Sequence, residues 1–387
     1  MSAAATPVQL EWSENGAAHA ALWRSENGTP PPKRVVIADD TTTADAAWRL
    51  ACEGTALLWR GDFQNARQLL QAMGRRAEQK KKKPVVPKGL TEAFHLYRQS
   101  QLQRARTLGM LLIPVEAGHR IALRRAPDVA QACSEAYGAS NDAYVVSLRE
   151  LQGVIGAYEW RKKGVPIPAL DGKSIHPHYG VFSPVRGEYL DLVAQAPLPV
   201  ADLAFDIGTG TGVIAAILAR RGVQKVIATE LNPRALDCAR DNILRLGLEA
   251  QVEIKASDLF PAGQAGLIVC NPPWLPGTAN SLLDQAIYDP DSRMLLGFLQ
   301  GLAAHLSEDG EGWLILSDLA EHLGLRSREF LTEAIAKAGL QVVARMDVRP
   351  RHAKAADVSD HLHAARAAET TSLWRLKRIN SGSGAAA

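Results

Sequence analysis

Cysteine is scarce in this chain and shows no pattern. Cys52, Cys133, Cys238 and Cys270 include no Cys-x-x-Cys pair, and each lies in an apolar or helical stretch. That argues against a disulfide framework or a zinc knuckle and for reduced, buried thiols. No apolar run approaches the ~18 residues of a membrane-spanning helix. Met1–Thr6 has neither the charged nor the apolar region of a secretion signal, so the expected location is cytoplasmic. Internal repeats are lacking too. The net charge is only +3 over 387 residues.

What charge there is lies unevenly. Residues 1–175 hold 24 Lys and Arg against 17 Asp and Glu, whereas the remainder holds 20 against 24. The densest basic stretch runs Arg75-Arg76-Ala77-Glu78-Gln79-Lys80-Lys81-Lys82-Lys83-Pro84. It reads either as a solvated linker or as a patch that tracks phosphates. The length suits about two domains, and 47% apolar composition suffices for ordinary cores.

The N-terminal part has an α/β rhythm. Strands are expected at residues 33–38 and 55–59 and helices at 43–52 and 63–75, without a glycine-rich turn. Further on come a helix at 90–107, a hairpin from 110–114 and 121–125, and helices at 126–137 and 145–163. Gly164-Val165-Pro166-Ile167-Pro168 marks a boundary. The expected organisation is an α/β region at 1–83, a mostly helical connecting region at 84–170, a main domain at 171–380 and a low-complexity tail at 381–387.

In the main domain a glycine-rich turn stands at Asp206-Ile207-Gly208-Thr209-Gly210-Thr211-Gly212. Leu203–Phe205 before it reads as a strand, and Val213 to Arg221 after it as a helix. Glycines there permit positive φ and close ligand approach, and the helix start offers free N–H groups. Glu230 ends the next apolar run, where a carboxylate can accept both ribose hydroxyls. Asp258 follows the strand-like Val252-Glu253-Ile254 and can accept an adenine amine. A nucleoside cofactor is therefore expected. The spacing is Gly-x-Gly-x-Gly rather than the dinucleotide Gly-x-Gly-x-x-Gly, which favours S-adenosylmethionine over NAD.

The run Gly266 to Cys270 leads into Asn271-Pro272-Pro273-Trp274. The lone pair of an exocyclic amine or carboxamide is delocalised, so its nitrogen attacks poorly until acceptors draw its N–H groups out of the plane. Asn271 Oδ1 and the Pro272 carbonyl are two such acceptors. Proline fixes φ and brings no competing N–H, and Trp274 offers a ring on which a flat group stacks. The bland alternative is a strand ending in an Asn-Pro turn. The series Asp206, Glu230, Asp258, Asn271, one polar group after each successive strand, favours methyl transfer to a planar nitrogen.

As a set, residues 205–215, 228–236, 257–260 and 268–276 make residues 176–378 resemble the class I S-adenosylmethionine-dependent methyltransferases of the "methyltransferase small" group. That group includes release-factor glutamine methyltransferases and rRNA and tRNA base methyltransferases. The resemblance implies a Rossmann-like, doubly wound seven-stranded sheet whose last strand, residues 371–378, is antiparallel, beside an N-terminal α/β accessory domain. It implies methionine-end contacts at Asp206, Gly208 and Gly210, ribose at Glu230 and adenine at Asp258. Thr209, Gly212, Leu231 and Leu259 complete the cofactor set together with Asn271, and Asn271, Pro272 and Trp274 meet the target.

Residues 181–193 and 288–295 are similar to segments of the glutamine-modifying branch, but Trp274 stands where that branch has Tyr, and Gly187 and Tyr189 depart from its pattern. The substrate expected is a macromolecule, with RNA favoured and protein possible. A pseudo-methyltransferase that only binds RNA is the non-enzyme alternative. His176 and His178 fall where the resemblance puts a lid over the cofactor. His352, His361 and His363 read as part of a loop insertion rather than a metal site, and no metal is expected.

Overall fold

The computed structural model describes residues 8–79, 87–185, 187–200, 202–351, 357 and 360–379. The Lys80–Lys83 run, Arg186, His352 and the 381–387 tail lie outside the described residues. The chain divides into two compact units, one of residues up to 87 with His95–Glu159, the other of Lys88–Phe94 with residues from Trp160 on.

The first unit contains β1 (Gln9–Glu14), β2 (Ala17–Arg24), β3 (Arg34–Ala38), α1 (Ala44–Cys52), β4 (Thr55–Trp59) and α2 (Phe63–Gln79). Then follow α3 (Leu90–Leu108), β5 (Leu111–Val115), α4 (Ala130–Tyr137), β6 (Tyr144–Ser147) and α5 (Leu148–Lys163), with the first turn of α3 and the last of α5 counted in the second unit. The strands form one sheet ordered β1-β2-β6-β5-β4-β3. Every residue of β4 is buried, as suits a central strand paired in parallel with β3 and β5. Asn15-Gly16 makes the two-residue turn between β1 and β2 with φ of 53° and 79°, the geometry of a primed hairpin turn. The expected hairpin of 110–114 with 121–125 does not form: β5 pairs antiparallel with β6. Residues 145–147, expected as helix, are extended because Val145 and Val146 are buried β-branched residues facing β5. Cys52 is exposed, unlike the other three cysteines.

The second unit opens with the short strands β7 (Val165–Pro166) and β8 (Ser174–Ile175), then α6 (Glu188–Gln195). Next come β9 (Leu203–Ile207), α7 (Val213–Arg220), β10 (Lys225–Glu230), α8 (Pro233–Leu246), β11 (Val252–Ala256) and β12 (Ala265–Cys270). β13 (Leu275–Pro276), β14 (Tyr288–Asp289), α9 (Arg293–His305), β15 (Leu306–Ser317), α10 (Leu319–His322) and α11 (Arg328–Lys337) follow. β16 (Leu340–Val348), α12 (His363–Ala368) and β17 (Thr371–Arg378) end it. The main sheet is ordered β11-β10-β9-β12-β15-β17-β16, parallel except for β17, which runs antiparallel to both neighbours.

Successive residues along each strand enter opposite cores. Ala204, Val226 and Val269 join α6 and α7 on one face, and Phe205, Ile227 and Ile268 join α9 and α11 on the other. The sheet is therefore doubly wound, as the sequence implied. β17 is locked beside β15 by Arg375, whose Nε and Nη2 donate to Glu311 at 2.8 and 2.7 Å while the Trp313 indole donates to the same carboxylate. The insertion between β16 and β17 carries α12. No helix among the described residues is long and apolar enough to cross a membrane.

Candidate active site

Because β11, β10, β9 and β12 are neighbours, their carboxyl ends bring Asp258, Glu230, Asp206 and Asn271 to one edge of the sheet. The turn after β9 has the backbone its glycines allow: Gly208, Gly210 and Gly212 have φ of 71°, 56° and 82°. At Gly208 a side chain would also collide with the Met294 methyl, which lies over the turn. Both Gly208 and Thr209 donate their N–H to the Thr229 carbonyl at 2.9 Å, tying the turn to β10.

Asp206 is 1% exposed. Its Oδ2 accepts from the Thr209 hydroxyl at 2.6 Å and from the Ala215 N–H at 3.0 Å, whereas the buried Oδ1 has no partner among the described residues. Burial, helped by the nearby Glu230 charge, pushes its pKa up to about 6 against the pull of those two donors. A buried carboxylate oxygen left bare is costly unless a ligand satisfies it. Glu230 is aimed by three backbone N–H groups: Gly210 donates to Oε2 at 3.2 Å, and Leu231 and Asn232 donate to Oε1 at 2.8 and 3.0 Å.

Asp258 is half exposed and pairs through Oδ2 with Arg293 at 2.7 Å, leaving Oδ1 available. Leu259 adopts a left-handed φ of 65°, and its carbonyl accepts from the Thr229 hydroxyl at 2.6 Å. Pro272 is buried, and Asn271 and Trp274 are half-buried. Trp274 Nε1 donates to Asn271 Oδ1 at 2.9 Å, so the ring is bonded to the carboxamide it was expected only to neighbour.

His176 and His178 are held by α8 and by the chain before it. Asn242, fully buried, accepts the His176 N–H at 2.7 Å and donates to the Thr211 carbonyl at 3.1 Å. His178 Nε2 and the Arg161 guanidinium both meet Asp241 Oδ2, at 3.2 and 2.9 Å. These histidines therefore fasten their segment to the helix behind the glycine turn.

Sequence reasoning missed Asp289, Met294, Asn242 and Arg326. Asp289 is buried, and its two oxygens accept from the Met294 and Leu295 N–H groups at 3.0 and 3.1 Å. It thereby starts α9 while β14 pairs with β13 just beyond the Asn-Pro-Pro-Trp run. An acid shortly before a helix was the available signal. Nothing in the sequence pointed to Asn242, whose partners Thr211 and His176 are 31 and 66 residues away, or to Arg326, whose partner Trp274 is 52 away.

The residues fit a ligand with a cationic group near Asp206, a diol near Glu230 and an amine near Asp258. Residues 174–337 match the family profile of the methyltransferase small domain. The chain is 32% identical over 180 residues to a release factor glutamine methyltransferase of Cereibacter sphaeroides, 43% of this chain and 63% of that protein. It is 30% identical over 158 residues to a tRNA1(Val) (adenine(37)-N6)-methyltransferase of Cytophaga hutchinsonii, 36% of this chain and 66% of that protein. The chain thus spans just under two thirds of the length of each of these relatives.

Proposed function

With residues 174–337 a methyltransferase small domain, whose methyl donor is S-adenosylmethionine, we propose that the chain is a cytoplasmic enzyme that methylates a planar nitrogen on a macromolecule. An exocyclic amine of a base in rRNA or tRNA is the favoured target. The observation that carries this reading is the buried Asp206 Oδ1, without a partner among the described residues, on the same sheet edge as Glu230, Asp258 and Asn271. Asp206, with the turn at Gly208, Thr209, Gly210 and Gly212, would take the methionine ammonium. Glu230, next to Leu231, would accept the ribose hydroxyls, and Asp258, next to Leu259, the adenine amine.

The bound cofactor supplies an electrophilic methyl on a sulfonium. Asn271 Oδ1 and the Pro272 carbonyl accept the target's N–H groups, and the Trp274 ring flanks it. These residues act by positioning and by placing acceptors where positive charge develops on nitrogen. No strong base is required, because the alkylated nitrogen is acidic and loses its proton to solvent.

A glutamine side-chain amide in a protein such as a release factor is the second reading. It is supported by residues 181–193 and 288–295, which are similar to segments of the glutamine-modifying branch, and by the similarity to a release factor glutamine methyltransferase. Mass spectrometry of rRNA, tRNA and release factors from a deletion strain separates the two: a methyl group missing from a base supports the first, and one missing from a glutamine replaces it with the second. If Lys80–Lys83 contact phosphates, replacing all four by Gln lowers the magnitude of the log-log salt slope of RNA binding by about 3 to 4 units, at ~0.7 to 0.9 per phosphate. An unchanged slope makes the run a linker.

A further inference from the structure

We propose that the Trp274 indole N–H and the Arg326 guanidinium are positioning groups that fix which end of the Asn271 carboxamide meets the target nitrogen. This rests on the reading of Asn271 as the acceptor for that nitrogen.

A carboxamide has an oxygen and an NH2 of nearly equal size, and the two are interchanged by a half turn about one bond. In the wrong orientation Asn271 would present donors to a target that itself brings donors. Trp274 removes the ambiguity, because an indole N–H donates and cannot accept. Its Nε1 lies 2.9 Å from Asn271 Oδ1, and a flipped carboxamide would set donor against donor. A carbonyl oxygen has two lone pairs, so one remains for the target. A tyrosine hydroxyl both donates and accepts, so it would tolerate either orientation.

The indole is itself held in place. Trp274 packs against the cores on both faces of the sheet. Its carbonyl accepts from Arg326 Nη2 at 3.4 Å. Arg326 is 8% exposed, and its Nε has no hydrogen-bond partner among the described residues. The carboxylates of Asp289 and Glu321 attract it. Both have other donors, Asp289 the Met294 and Leu295 N–H groups and Glu321 the Arg328 guanidinium at 2.7 Å. Removing the Arg326 charge leaves both acids hydrogen-bonded, although withdrawing one charge from a buried set lowers stability. What Arg326 does that a methionine cannot is donate to the Trp274 carbonyl.

The test that needs no substrate is solvent exchange of the Trp274 indole proton, followed by 15N NMR and assigned with Trp274→Phe. In the free protein this proton should exchange slowly. Asn271→Ala should speed it about tenfold, the size of one net hydrogen bond, and Asn271→Asp, which keeps an acceptor of the same shape, should restore the protection. Arg326→Met should speed it while the buried indole protons of Trp59 and Trp313 keep their protection. Exchange that Asn271→Ala leaves unaltered overturns the proposal.

The second readout is tritium transfer from labelled S-adenosylmethionine to unmethylated rRNA and tRNA transcripts and to purified release factors. Trp274→Phe keeps a ring but loses the donor. It should lower turnover about 10- to 100-fold, the scale of a misplaced reacting group, with KM little changed. A raised KM with turnover intact reduces Trp274 to a stacking ring and overturns the assignment. Absence of transfer by the wild-type protein counts against the proposed activity, whereas the indole measurement decides the positioning claim by itself.

Discussion

The two sheets of this chain share an α/β rhythm and differ at their carboxyl edges. In the first, the edge is filled by its own side chains. Asp40 Oδ1 accepts the Asp62 N–H at 2.9 Å and the Asn65 amide at 3.0 Å, and the same Asp40 would block a side chain at Gly61. Asp62 Oδ2 holds both Arg124 and Arg125, and Asp62 Oδ1 accepts the Gln64 N–H at the start of α2. In the second sheet the equivalent edge keeps three left-handed glycines and a buried carboxylate oxygen with no partner among the described residues. A strand, a turn and a helix do not make a ligand site; polar groups left unspent by the fold do.

The largest expected effect separates the two edges by calorimetry. Asp206→Ala and Gly208→Val should each abolish S-adenosylmethionine binding, the first by removing the acceptor, the second by forcing a β-branched residue to a φ of 71°. Asp62→Ala should lower the melting temperature yet leave the affinity as it was. Equal losses at both edges would erase the distinction.

A smaller effect follows from Asp206's raised pKa of about 6. The ionised carboxylate accepts a cation, and the protonated form does not. Affinity for S-adenosylmethionine should therefore hold above that pH and weaken about tenfold per unit below it. Binding that stays flat from pH 7 to pH 5 would mean that Asp206 does not face the ammonium.

Least of all, Thr43→Ala should cost about 1 kcal/mol of stability by removing the hydroxyl that caps α1, where it accepts the Ala46 N–H at 3.3 Å, and should not alter cofactor binding. Chemical denaturation beside calorimetry checks both halves.

The comparison also explains what the sequence made legible. β9, β10 and β12 each end in a local signal, a short apolar run followed by a distinctive polar residue, and β11 points to Asp258 just beyond it, so the order of site residues was readable. The Asn15-Gly16 turn was equally readable, though it had drawn no expectation. β6 was misread because Tyr144–Ser147 runs into α5 without a Gly or Pro to separate them. The Trp274 to Asn271 bond was hidden for another reason: three residues apart, the pair could equally have turned away from each other. Arg326 and Asn242 depend on tertiary pairing, which no local pattern encodes.

The claim that Asn271 activates a planar nitrogen beside a bound methyl donor is tested most directly by single-turnover transfer from labelled S-adenosylmethionine, run alongside calorimetry on Asn271→Ala. Cofactor affinity should stay within a few-fold while the transfer rate falls at least about 100-fold, the loss of roughly 3 to 4 kcal/mol expected for one acceptor in such a site. A variant that binds the cofactor and transfers methyl at close to the wild-type rate would contradict the account.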